Sequence, residues 1–182
     1  MAGGSRFRQA DRLAAVEGYA YVGPDDIRAA AVDQPPGTPV RSPADLDRWL
    51  TARPRAELAE PFTYVVDLTG TLCLAPRRSE HVACASGARV LAAGEIGFER
   101  ARTGWTVRES SNQSTGYCPD VTCWPALASA LHRAGLPAPE GFTHEVVFRR
   151  CEGCGERAVV REDDYVCVLC GARLPGKWNF GR

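Results

Sequence analysis

The chain has 182 residues, 45% of them hydrophobic and 24% charged, and its 22 Lys+Arg are balanced by 22 Asp+Glu. That length holds one ordinary domain and a small module, and the even charge removes any broad electrostatic attraction to nucleic acid or to an anionic membrane. No apolar run approaches the ~20 residues of a membrane span, and Met1–Asp11 lacks the apolar stretch of a signal peptide. The expected compartment is therefore the cytoplasm, with no membrane partner. Eight cysteines in a reducing compartment favour metal over disulfides. Lys177 is the only lysine, and with the abundance of Arg, Ala, Gly and Pro this reads as the codon usage of a GC-rich genome.

Residues 1–60 read as an N-terminal helical and linker arm. Pro24-Asp25-Asp26 opens a short helix over Ile27–Val32, and Asp33–Pro39, with three prolines and a glycine, is a linker by composition. Ser42 is a good N-cap, with Pro43 at the first helical position and Asp45 in the first turn. Leu46, Trp49 and Leu50 then form one apolar helical face that ends near Arg53-Pro54.

Residues 61–148 read as a central α+β unit. Phe62–Leu68 and Thr71–Leu74 form a hairpin about Thr69-Gly70, and His81–Cys84, Val90–Phe98 and Trp105–Glu109 are further strands of an antiparallel sheet. After the polar loop Ser110–Pro119, Trp124, Leu127, Ala128 and Leu131 recur at helical spacing up to Gly135, which gives the one main helix. Phe142–Arg150 is a last strand that runs directly into Cys151. The expected fold is α+β: an antiparallel sheet with one main helix, the N-terminal arm, and a C-terminal metal module.

That module, residues 149–176, carries the strongest motif. Cys151-Glu-Gly-Cys154 and Cys167-Val-Leu-Cys170 are separated by twelve residues, a CxxC-x12-CxxC pattern. Each CxxC turns two thiolates toward one ion, and two such turns complete a tetrahedron of sulfur. Gly155 and Gly171 follow each second cysteine, where the turn favours a positive φ. Ala158–Val160 and Tyr165-Val166 supply strands about the polar turn Arg161–Asp164. The segment resembles a zinc ribbon of the rubredoxin-like double-knuckle kind. The resemblance implies one structural zinc ion, whose four thiolates leave no open position for a reactive water. The alternatives are an iron site of the same geometry and a thioredoxin-like redox pair, the second less favoured because a redox motif needs one CxxC at a helix start and not two in register.

Weaker groupings lie upstream. His81, Cys84, Cys118 and Cys123 would make a second, Cys₃His metal site. Read as a strand, however, His81–Cys84 would point residues three apart to opposite faces. Glu80, His81, Glu95, Asn112, Ser114 and Tyr117 are the candidate catalytic or ligand-binding groups, at strand ends and in the loop before the main helix. An inward Glu95 would act as a base. His132 and His144 read as ordinary helix and strand residues.

Ala92-Ala-Gly-Glu-Ile96 and Gly116-Tyr117-x-Pro119 resemble a bacterial module with an AAGEI and SGHYxP pattern. Ser114-Thr115-Gly116-Tyr117 lacks the histidine of that loop, and the resemblance implies no activity. The tail, residues 177–182, carries Trp178 and Phe180, expected to fold back over the junction of ribbon and sheet. The leading functional expectation is a cytoplasmic zinc-binding interaction or regulatory module with a protein partner. A small enzyme acting on a small or nucleotide-like ligand through residues 79–81, 94–95 and 112–117 is the rival. Nucleic acid is a less favoured partner, because Arg149, Arg150, Arg157, Arg161 and Arg173 are offset by Glu152, Glu156, Glu162, Asp163 and Asp164.

Overall fold

A computed structural model describes residues 17–181; the Met1–Asp11 stretch and the rest of the first sixteen residues of the arm lie outside the described residues. The fold is α+β. Five antiparallel strands stand in the order β1-β3-β2-β4-β5: β1 (Thr38–Val40), β2 (Phe62–Val66), β3 (Leu72–Ala75), β4 (Ala92–Ala101) and β5 (Gly104–Ser110). Two more, β6 (Val147–Arg150) and β7 (Arg157–Val160), form a separate hairpin.

Every residue of β2 is buried, because both faces of the sheet centre are covered. On one side α2 (Pro43–Thr51) sets Trp49 edge-on against Phe62 at 4.8 Å. There α4 (Trp124–Arg133) packs against β2, β3 and β4 with Leu127 and Leu131. On the other side α3 (His81–Cys84) packs on β2 and β3. The cap at Ser42 forms as its sequence suggests, the side chain accepting from the Asp45 amide at 3.2 Å.

Four elements differ from the sequence reading, one of them Tyr165-Val166: Ala158–Val160 pairs with β6 instead, and Val166 makes only an isolated bridge to Arg173. His81–Cys84 is a helical turn, not a strand. Four apolar residues are too few for periodicity to decide. The deciding feature is the C-terminal cap: Ser86 and Gly87 both take positive φ, and the Gly87 amide closes back on the Val82 carbonyl at 2.8 Å. The stretch read as a linker supplies β1, which pairs with β3 in the register Thr38↔Leu74 and Val40↔Leu72. Pro39 is tolerated there because β1 is the sheet edge, where one missing N–H leaves no ladder gap. The strand expected over 142–150 is regular only from Val147, because Thr143 and His144 donate their amides to the Ser110 carbonyl instead. An arm by composition thus contributes Val40, Leu46, Trp49 and Leu50 to the core.

The tail returns to the body. Trp178 donates its indole N–H to the Cys118 carbonyl at 2.7 Å and meets Tyr19 edge-on at 5.4 Å. Asn179 exchanges two hydrogen bonds with the backbone of Arg150, at 2.8 and 2.9 Å, and Phe180 packs against Cys118, Val146 and Phe148. Trp178→Ala is expected to lower stability by about 2 kcal/mol, allowing for its partial exposure, and the midpoint of thermal unfolding by about 4–8 °C. An unchanged midpoint would show that the tail is passive.

Candidate metal centre

Cys151 and Cys154 lie in the turn between β6 and β7; Cys167 and Cys170 lie in a second turn beyond β7. The turns are built alike. Gly155 donates its amide to the Cys151 carbonyl and Gly171 to the Cys167 carbonyl, each at 2.8 Å. Both glycines hold positive φ, 78° and 74°, which is why glycine stands at each position. The amides of Cys151 and Cys167 reach the Glu156 and Ala172 carbonyls, also at 2.8 Å. Equal turns facing one another bring four sulfurs together.

The Sγ atoms of Cys151 and Cys170 are 3.6 Å apart, those of Cys154 and Cys167 are 3.8 Å apart, and all four lie within 4.8 Å of one another. A tetrahedron with metal–sulfur bonds of about 2.3 Å has sulfur–sulfur edges of about 3.8 Å. The set therefore fits a single tetrahedral ion, and four thiolates are the donors zinc or iron takes in that geometry. The Cys154 amide has the largest effect on the Cys151 thiol. With the Gly153 amide it outweighs desolvation and draws that thiol down to about 7. The Glu156 amide lowers the Cys154 thiol, but desolvation and the neighbouring sulfurs prevail and push it up to about 12.

Beneath the sulfurs lies a small core of Ala158, Val160 and Leu174, flanked by Val147, Tyr165 and Ala172. Arg149, counted from the sequence among the surface arginines, is buried. Its guanidinium donates to the carbonyls of Phe148, Pro175 and Gly176 and stacks over Tyr165 at 5.8 Å. Arg157 reaches the Thr115 carbonyl at 2.7 Å, and Arg150 lies over the Phe180 ring at 5.2 Å. Three of the five arginines near the ribbon are thus tied to the fold. Spacing alone gives no sign of this, because their partners are distant in sequence.

The other candidate residues do not converge. Among the described residues, the four ribbon cysteines are the one group of three or more His, Cys, Asp or Glu whose donor atoms could hold a metal ion. His81 bonds through Nε2 to the Gly94 carbonyl at 2.9 Å, and Cys84 reaches the Cys73 carbonyl at 3.7 Å. Cys118 turns to the Thr115 carbonyl at 3.3 Å, and Cys123 is buried at the start of α4. Burial pushes the Cys73 thiol up to about 11 and those of Cys84, Cys118 and Cys123 up to about 12. These four are packed thiols of low reactivity.

The polar loop before α4 holds the structure together. Asn112 is fully buried; its amide donates to the carbonyls of Val146 and Pro119 at 2.8 and 3.0 Å and accepts from the Val146 amide at 2.7 Å. Tyr117 is fully buried and donates its hydroxyl to the Ala88 carbonyl at 2.6 Å. Ser114 is buried, while Glu80 is exposed at the start of α3. Glu95 lines a small cavity with Glu109 and His144 to which neither Tyr117 nor Asn112 contributes, and its carboxyl is raised chiefly by desolvation. Loop composition suggested a site because Asn and Tyr serve equally well as internal hydrogen-bonding groups; the Ser114 hydroxyl is buried with no hydrogen-bond partner among the described residues.

Desolvation outweighs the Gly94 hydrogen bond and lowers His81 to about 4 from an ordinary 6.5, so the folded protein holds it neutral. The unfolded chain takes up a proton below pH 6.5 that the folded one refuses. Stability is therefore expected to fall between pH 6.5 and 4, by up to about 3 kcal/mol from this group. Comparing urea unfolding of the wild type with that of His81→Gln at both pH values isolates the effect. Equal losses in the two proteins would remove His81 as its source.

Set against protein-family models, curated proteins and solved structures, the chain matches none. No helix among the described residues is long and apolar enough to cross a membrane.

Proposed function

We propose that the protein is a cytoplasmic zinc-binding interaction or regulatory module, in which one zinc ion closed by four thiolates gives the ribbon its shape. The convergence of the Cys151, Cys154, Cys167 and Cys170 sulfurs carries this reading. The ribbon core is too small to persist without a metal, so the ion supplies its folding energy. A reducing compartment keeps such thiols available.

A protein partner is supported by the second knuckle, where Val168 and Leu169 are 87% and 68% exposed beside the exposed Val166. Adjacent apolar side chains left in water are a common mark of a contact surface. The enzyme reading has less behind it, because His81, Asn112 and Tyr117 are each bonded to backbone groups. Elemental analysis of freshly purified protein tests the proposal. About one zinc per chain is expected; a metal-free yet fully folded protein would refute it.

A further inference from the structure

The β6–β7 hairpin has two faces, and only one belongs to the thiolate core. Val147, Ala158 and Val160 face the sulfurs. By alternation Val146, Phe148 and Val159 face the other way. Val159 stands directly opposite Phe148 and remains 38% exposed.

Between this second face and residues 113–115 lies a cleft of about 650 Å³, within the size range of ligand sites. Its walls are fastened in advance, by Asn112 to Val146 and by Arg157 to the Thr115 carbonyl. The floor is the exposed Val159, backed by the buried Val146 and Phe148; Glu145 and Glu162 line the cleft against a single lining cation, Arg161. A side cavity of about 110 Å³ shares Gln113 and His144 with the cleft and adds Glu95 and Glu109. Arg108 pairs with Glu109, but Glu95, Glu145 and Glu162 make no ion pair among the described residues. The cleft therefore sets the exposed Val159 beside one more acid than arginine, and with Glu95 of the side cavity the unpaired acids come from three separate segments. A small amine could meet one of these acids; a chain with several cations could meet them together.

We propose that this cleft binds an extended partner segment in which apolar side chains alternate with Lys or Arg. The apolar groups lie over Val159, and the cations face Glu145, Glu162 and Glu95. This deepens the interaction-module reading and rests on it, since it names the partner's chemistry.

The test uses the full-length, zinc-loaded chain and three fluorescently labelled synthetic peptides, alternating Lys with Val, Glu with Val, and Ser with Gly. Binding is read by anisotropy, and zinc is counted on the same sample. The Lys–Val peptide is expected to bind at least about tenfold more tightly than the others. Glu145→Gln with Glu162→Gln, and separately Val159→Ser, are each expected to weaken it by about tenfold. These residues are exposed, so the variants should fold and keep their zinc. Equal or absent binding of the three peptides to zinc-loaded protein overturns the cleft proposal and leaves the zinc reading standing. So does Lys–Val binding that the variants leave unchanged. A sample without zinc that still shows the Lys–Val preference supports the cleft and refutes the zinc reading.

Discussion

Replacing Cys151 by serine is expected to abolish zinc retention and unfold the ribbon. The sulfur is buried, and its hydroxyl replacement is a poor zinc ligand. Structural zinc sites bind with apparent free energies on the order of 10 kcal/mol, and in a module this small that binding is the folding energy. The five-stranded sheet has its own core about Phe62, Tyr64, Leu72 and Ile96 and should survive. Hydrogen exchange would then show lost protection across residues 147–174, with β2 and β4 still protected. Thiol alkylation gives a second readout on the wild type. With zinc bound, the four ribbon thiols are held by the metal and the other four are packed and protonated. Adding a strong chelator should expose the ribbon set first. Full alkylation of the ribbon cysteines in folded, untreated protein would refute the metal centre.

The second large effect is expected at Asn112. Asn112→Ala leaves the amide and carbonyl of Val146 and the carbonyl of Pro119 without their bonds. Each buried backbone group left unpaired costs about 1–3 kcal/mol, so a loss of about 3–5 kcal/mol is expected. The midpoint of thermal unfolding should fall by about 8–15 °C. Zinc content should stay near that of the wild type, because the Asn112 side chain bonds to Val146 and Pro119 and not to the cysteine turns. The variant thus separates two contributions: on the proposed reading a metal shapes the ribbon, whereas the asparagine ties Val146, at the foot of the ribbon hairpin, to the loop before α4. A fully stable Asn112→Ala protein would show that the clamp is unimportant and reopen a ligand-binding role for the loop.

The convergence of the four ribbon cysteines was legible because its information is local. A CxxC turn needs only its two cysteines and a following glycine, and both turns carry them. The strands at Phe62–Val66 and Ala92–Ala101 were legible for a similar reason, since β-branched and aromatic runs favour extended backbone. The helix at Pro43–Thr51 announced itself through Ser42 and Pro43.

Other features depend on partners far away in the chain, and composition is silent about them. Pro39 becomes part of a strand only because β3 offers it an edge. Asn112 reads as a reactive loop residue until Val146, 34 positions on, accounts for its hydrogen bonds. Arg149 reads as a surface cation until the carbonyls of Pro175 and Gly176 surround it. The cleft arises where residues 113–115, 144–148 and 159–162 come together, so no spacing could reveal it. By itself the sequence determined which four cysteines come together, the fold class and most of the helices and strands, because short-range sterics and periodicity decide those. Tertiary structure alone decided which polar groups are bonded internally and which remain free to meet a partner, because burial and hydrogen bonding are settled between segments that meet only in the folded chain.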